Sequence, residues 1–222
     1  MKTFFSVTLL LIQVSLYGQH FAVFAGANRN IFHDYADAQG HYQSTYLSEY
    51  GYTAGINTGR ISIHSLPLLF SLQFDHYSGT FQASDGGLGG GYATTADINK
   101  SVLSLGIYVL NFRVKNRLDL NFGVDVSARI QDGFNGTHYF WMGGSPSVSE
   151  LSNLQEKYER FNAAMSVGLR SRIAYDVPLG KSLVLSPQFQ YYFGLTPEFR
   201  EFPTKTRSMR LYVCLGIKKK LA

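Results

Sequence analysis

The stretch from Leu118 to Gln131 alternates between two kinds of side chain almost without error. Leu118, Leu120, Phe122, Val124, Val126, Ala128 and Ile130 fall on one parity, and Asp119, Asn121, Gly123, Asp125, Ser127, Arg129 and Gln131 on the other. An extended strand sends successive side chains to opposite faces, so this segment has an apolar face and a polar face along its whole length. A tilted strand crosses a bilayer in roughly 9–11 residues, and this one is long enough.

Seven further segments carry the same pattern, at about 19–30, 50–60, 68–82, 98–113, 161–177, 182–195 and 206–218. Tight turns at Lys115-Asn116 and Pro178-Leu179-Gly180-Lys181 alternate with long connections at 31–49, 83–97, 132–160 and 196–205. Short turns on one side and long loops on the other are the mark of an even-numbered transmembrane barrel with its short turns in the periplasm. The expected fold is all-β, an eight-stranded antiparallel transmembrane β-barrel wound as an up-and-down meander. Tyr50, Tyr52, Tyr77, Phe81, Tyr191 and Phe193 gather near the outer strand ends, where an interfacial aromatic girdle is expected. A soluble barrel with an apolar interior would show the same alternation. So many large apolar residues per strand would overfill so small an interior, and the membrane reading is preferred.

Two features of the ends agree with export. Residues 1–18 read as a signal peptide, with Lys2 before an apolar run from Phe4 to Leu16 too short for a comfortable span and Gly18 suited to cleavage before Gln19. Leu16 fits the cleavage rule less well, and a retained anchor is the alternative. Residues 19–222 then form a single domain in the outer membrane. The chain carries a net charge of +5, part of it in the Lys218-Lys219-Lys220 cluster. That cluster is read as a solvated end that stops the last strand, in preference to a lipid or nucleic-acid site. Cys214 is the single cysteine, so no intramolecular disulfide can form, and its parity places it in the lumen.

The pattern resembles the PorT-like outer-membrane β-barrel family of Bacteroidota, and more loosely the small OmpX- and OmpA-type barrels. The segments that carry the resemblance are Phe21–Asn28, Tyr52–Asn57, Leu118–Gln131, Gly168–Tyr175 and Arg210–Ile217. The resemblance implies the fold and the outer-membrane location and brings no catalytic residues with it. It also admits a role as an accessory subunit of a secretion or uptake complex. The chain departs from it in ending on Lys-Lys-Lys-Leu-Ala where such barrels often end on an aromatic residue.

The polar parity offers the chemistry. Asp119, Asp125, Arg129, Arg170, Arg172, Asp176 and Arg210, with Asp75, face an interior only wide enough to be filled by side chains. Charges there must be paired, and a lumen salt-bridge network is expected, with Asp125 level with Arg170 or Arg172. A charged, ion-selective pore is the alternative for the lumen; for the whole chain a structural or interaction role at the cell surface is expected, with a small channel or ligand-binding barrel as the alternative. In the third long connection Phe134, Tyr139, Phe140 and Trp141 form the best candidate recognition surface, against the reading that they rest on headgroups or over the barrel mouth. Ser152 and Gln155 have the spacing of a helix start nearby.

Other candidates are weaker. The Asp85–Gly91 run lacks the following helix that a phosphate loop needs. His33, Asp34, Asp37 and His41 match no tight zinc spacing. His76 falls on the outward parity and His138 on a loop, and no Gly-x-Ser-x-Gly segment is present. No enzymatic activity, cofactor, metal or nucleic acid is expected. The expected partners are outer-membrane lipid and other envelope proteins, around a monomeric barrel.

Overall fold

The computed structural model describes residues 20–36, 43–58, 61–63, 66–87, 89–142, 145–150, 163–199 and 205–220. They form twelve strands and no helix: β1 (His20–Ala36), β2 (Gln43–Ser48), β3 (Tyr50–Thr58), β4 (Ile61–Ile63), β5 (Leu66–Gly87), β6 (Gly90–Val114), β7 (Leu118–Met142), β8 (Ser145–Glu150), β9 (Met165–Tyr175), β10 (Val177–Pro178), β11 (Leu183–Gly194) and β12 (Lys205–Lys220). The signal-peptide segment 1–18 and the helix start at Ser152 lie outside the described residues.

Eight of these strands close a ring. The hydrogen-bonded order runs β11-β12-β1-β3-β5-β6-β7, and β9 joins β7 to β11 to complete it. Every pairing in the ring is antiparallel, and each wall is the chain neighbour of the next, with β12 meeting β1 at the closure. The fold is an eight-stranded antiparallel barrel of the outer-membrane type. Lys115 and Asn116 have φ of 47° and 57°, both left-handed, and Arg117 N donates to Val114 O at 3.1 Å, a primed turn within the three-residue connection from β6 to β7.

Alternation decides which face goes where. Along β9 and β11 almost every second residue is buried, and those residues are mostly polar. The apolar parity points outward: Phe122, Val124, Leu169, Ile173, Phe189, Val213, Leu215 and Ile217 are all exposed. A soluble monomer rarely exposes an apolar patch beyond a few hundred Å². Here the patch runs round the ring, and along β7 from Leu118 to Ile130 it covers roughly 30 Å of height for a strand tilted as in such barrels.

The strands do not stop at the top of this belt. β5, β6 and β7 have 22, 25 and 25 residues, about twice the 12 of β11. β2 pairs with the upper part of β5 and β8 with the upper part of β7, so a five-stranded sheet in the order β2-β5-β6-β7-β8 rises on one side of the barrel. This corrects the reading of 83–97 as a loop and of 31–49 and 132–160 as loop throughout. The glycines and short polar residues there weaken a strand signal read locally, but continuous pairing along β5–β6 and β6–β7 carries the sheet through them.

A bulge changes the parity on the way up. Ser101 pairs with Gln131 and Val102 with Arg129, which leaves Ile130 as the extra residue on β7. Below it the odd-numbered residues of β7 face the lumen; above it Asp132 and Phe134 turn inward instead. Two girdle candidates are corrected as well. Tyr77 and Phe81 are each 1% exposed and lie inside, whereas Tyr50 and Tyr52 are exposed on the outside.

Candidate functional site

Among the described residues the charged groups converge in the lumen, which is organised in levels. At mid-height Asp75, on β5, accepts hydrogen bonds from Thr53 Oγ1 (2.6 Å), Gln73 Nε2 (2.7 Å), Tyr212 Oη (3.0 Å) and Arg210 Nη1 (3.1 Å). Arg170 Nη2 stands 3.0 Å from Asp125 and 3.8 Å from Asp75, and its Nη1 donates to Gln73 Oε1. The register explains the Asp125 contact: Gly123 faces Arg170 across β7 and β9, so Asp125 is one pleat up and within diagonal reach. Asp75, Asp125, Arg170 and Arg210 are each at most 2% exposed.

Aromatic rings seal this level. Arg210 lies 4.0 Å from the Tyr192 ring centre and 5.0 Å from that of Tyr77, and Arg170 lies 5.5 Å from that of Tyr212. Tyr192 has room because residue 168 is glycine, since a Cβ there would fall on the ring. Two carboxylates stand against two guanidiniums, so the buried charge is paired at this level, although Arg170 Nε and Nη2, Arg210 Nε and Nη2 and Asp125 Oδ2 are buried without a hydrogen-bond partner among the described residues.

The lower rim holds a second balanced set. Lys218 Nζ reaches Asp176 (2.6 Å) and Asp119 (3.1 Å), and Arg113 reaches the same two carboxylates at 2.8 and 3.7 Å. Ser186 Oγ donates to Asp176 (2.9 Å). Lys218 therefore folds into the rim, which corrects the picture of a purely solvated lysine end.

Above mid-height the lumen is closed by an apolar cap. Phe32, Tyr77, Phe81, Ala83, Ile98, Val102 and Phe199 form one buried cluster, with Tyr46 and Phe134 packed against it. Phe199 comes from the connection between β11 and β12, which turns back into the mouth and sets its ring 5.5 Å from that of Phe32. Its neighbour Glu198 is 1% exposed, ion-paired to Lys100 Nζ at 2.5 Å, and accepts from Tyr77 Oη at 2.6 Å. Burial pushes the Glu198 carboxyl up, but the Lys100 and Arg210 charges outweigh it and hold the group below its ordinary value. Backbone bonds from Ala163 N to Glu198 O (3.0 Å) and from Glu198 N to Thr206 O (2.7 Å) pin the segment in place.

The structure brings Asp125, Arg170 and Arg210 together at mid-lumen and Asp119 and Asp176 at the rim. Arg172 lies between the two levels and donates through Nε (3.0 Å) and Nη2 (2.8 Å) to Asn121 Oδ1. Arg129 does not belong to the lumen set: it pairs locally with Asp132 at 2.8 Å, beside the bulge that ends the lower parity. Lys100, Glu198, Tyr192 and Tyr212 are not singled out by the sequence, which places Lys218 in a solvated end and Tyr77 in the girdle. Parity from Asp75 and Arg210 would have found Tyr77 and Tyr212; nothing local marks Glu198, which sits in a connection.

The recognition candidates are placed differently from expectation. Phe134, Tyr139, Phe140 and Trp141 stand on rising β7 and not on a loop, and strand alternation sends Tyr139 and Trp141 to one face and Phe134 and Phe140 to the other. Phe134 packs on the cap, 6.4 Å ring to ring from Phe81. Tyr139 and Phe140 are exposed, and Trp141 lies against Gly86.

The weaker candidates gather no site. His76 points outward, stacked 4.9 Å from Tyr52 with Nδ1 at 3.0 Å from Ser101 Oγ. The Asp85–Gly91 run forms the β5–β6 hairpin end. Cys214 is buried with Phe24, Tyr192 and Tyr212. No group of three or more His, Cys, Asp or Glu that could hold a metal occurs among the described residues. Asp37 and His41 lie outside the described residues, as do the side chains of Asp34 and His138.

The chain matches no family model, and no curated protein matches it either. Among solved structures it is similar to Neisserial surface protein A (15% identity, 90% of this chain and 97% of that one, TM-score 0.39). It is similar also to Ail, the attachment invasion locus protein of Yersinia pestis (9% identity, 90% and 99%, TM-score 0.41). A third is the outer membrane protein OprG from Pseudomonas aeruginosa (12% identity, 92% and 96%, TM-score 0.42). The closed strand register carries the fold by itself, and no role passes from these proteins to this one.

Proposed function

We propose that this chain is a non-enzymatic outer-membrane barrel, PorT-like in sequence pattern, whose lumen is a filled, static strut and whose work is done on its surface. The observation that supports this reading most directly is the closure of the lumen by three successive layers: the rim set, the mid-height charge network and the aromatic cap. A through-path would have to break a balanced, buried ion network and then part the aromatic cap that packs beside the buried Lys100–Glu198 pair. The sheet that rises above the belt supports an interaction role, because its exposed faces carry Tyr139, Phe140 and Leu47 clear of the barrel mouth. An accessory place in a secretion or uptake complex fits this geometry.

Two measurements test the reading. Refolded barrel in planar bilayers should show no steady conductance, and open-channel steps at modest voltage would overturn the filled-strut assignment. Affinity purification of tagged protein from gently solubilised outer membranes, run on a native gel, should show migration within a larger complex. Migration as a single barrel would count against the accessory role.

A further inference from the structure

The lumen charges can be paired off level by level. At mid-height Asp75 and Asp125 balance Arg170 and Arg210. At the rim Asp119 and Asp176 balance Arg113 and Lys218, and at the cap Glu198 balances Lys100. Arg172 is left over. It is 3% exposed, its guanidinium meets no carboxylate among the described residues, and its contacts are Asn121 Oδ1 and the Tyr108 ring, 5.4 Å away.

The groups around it are also left over. Arg172 faces Gln190 across β9 and β11, and Gln190 Nε2 donates to Gln188 Oε1 at 3.4 Å. On the other side Tyr108, Ser71 and Asp125 Oδ2 surround Gly106, the Asp125 carboxylate being held there by Arg170 at 3.0 Å, and Ser71 faces Asn57 across β3 and β5. Arg172 Nη1, Gln188 Nε2, Ser71 Oγ and both side-chain polar atoms of Asn57 are buried without a hydrogen-bond partner among the described residues. Each of these residues is at most 4% exposed. Orphaned buried donors occur at mid-height too, on Arg170 and Arg210, but among the described residues it is here that they accompany a buried cation with no counter-charge, and the two have a common remedy in one small anion. Water would satisfy the amides and the hydroxyl, but it would leave the charge of Arg172 uncompensated in low dielectric.

We propose that this level, between the mid-height network and the rim, is a binding site for one small monovalent anion of chloride size, held by the Arg172 guanidinium and the side chains of Gln188, Ser71 and Asn57. A single negative charge makes every level of the lumen neutral. A divalent oxyanion would reverse the imbalance and is too large for a level already crowded by Phe24 and Tyr108. The site is resident and structural, and does not depend on the surface role proposed above.

Bromide is the probe. The mature barrel, refolded in detergent micelles and crystallised from sodium bromide, should give an anomalous peak in contact with Arg172. Its absence in well-ordered crystals would overturn the proposal. In solution the thermal midpoint of the wild-type barrel should be higher in chloride than in gluconate at equal ionic strength, by linkage to an occupied site. Equal midpoints would also overturn it. In Arg172→Met the chloride-specific shift should vanish, and a shift that survived would show that the anion acts elsewhere. If that variant does not fold, the two wild-type measurements and Asn57→Leu, expected to weaken the chloride shift, still decide the matter.

Discussion

Replacing Asp75 by Asn keeps the side-chain shape and removes one charge from the centre of the barrel. Asp75 is 0% exposed and accepts four hydrogen bonds, one of them from Arg210 at 3.1 Å. At an effective dielectric of about 20, a unit pair at the 3.1 Å Arg210 distance is worth about 5 kcal/mol gross. Desolvation offsets much of that in the intact pair. In Asp75→Asn the guanidinium of Arg210 stays buried with its main counter-charge gone, and such a break costs about 3–5 kcal/mol. Urea titration of the barrel folding into lipid vesicles, followed by tryptophan fluorescence at Trp141 and by heat-modified gel mobility, reads this directly. The double variant Asp75→Asn/Arg210→Met removes both charges and should recover about 2–3 kcal/mol relative to the sum of the single losses. An Asp75→Asn barrel within about 1 kcal/mol of wild type, or a double variant with strictly additive losses, would refute the reasoning, since the network would then contribute no coupling.

Further outcomes follow from the same contacts. Lys115→Asn with Asn116→Gly puts an Asn-Gly pair where φ is 47° and 57°, and should raise stability by about 1 kcal/mol in the same titration. Phe199→Ala should cost about 3 kcal/mol and loosen the cap, read as new conductance events in planar bilayers; a silent, fully stable variant would deny the cap its sealing role. Gly168→Val drives a branched side chain into the Tyr192 ring and should abolish the heat-resistant folded band on a gel. Glu198, in the connection outside the strands, is held below its unfolded value of about 4.3, so its contribution is complete above that pH and is lost as pH falls through the lower folded value. The acid branch of the melting profile should accordingly be shallower in Glu198→Gln than in wild type.

The legible part of this fold was everything that repeats with period two over a membrane-length segment. Leu118–Ile130, Leu169–Tyr175 and Met209–Ile217 announce both faces because lipid on one side and a packed polar lumen on the other leave no freedom of parity. Legibility fails where one of these solvents changes. Above the belt water replaces lipid, the outward residues need no longer be apolar, and a run such as Ala83–Asp97 loses the contrast that marks a strand. The Ile130 bulge then inverts the parity, so Phe134 and Asp132 face inward where simple alternation from Leu118 would point them out. Glu198 was invisible because its burial depends on a connection folding back onto Lys100, some hundred residues away in the chain, and no local pattern encodes that pairing.

The two halves of the molecule answer to different constraints. In the belt, the low dielectric outside and the narrow bore inside force each charge to be answered by another, which is why the rim and mid-height sets balance and why Arg172, a buried guanidinium with no carboxylate partner among the described residues, draws attention. Above it, β5, β6 and β7 continue into water with β2 and β8 added at their sides, and there the side chains are free of both demands. A surface that specifies a partner needs such freedom, whereas a bore required to stay neutral and shut does not have it. On the reading proposed above, function divides by height: stability and the anion level belong to the barrel, and recognition belongs to the sheet that stands above it.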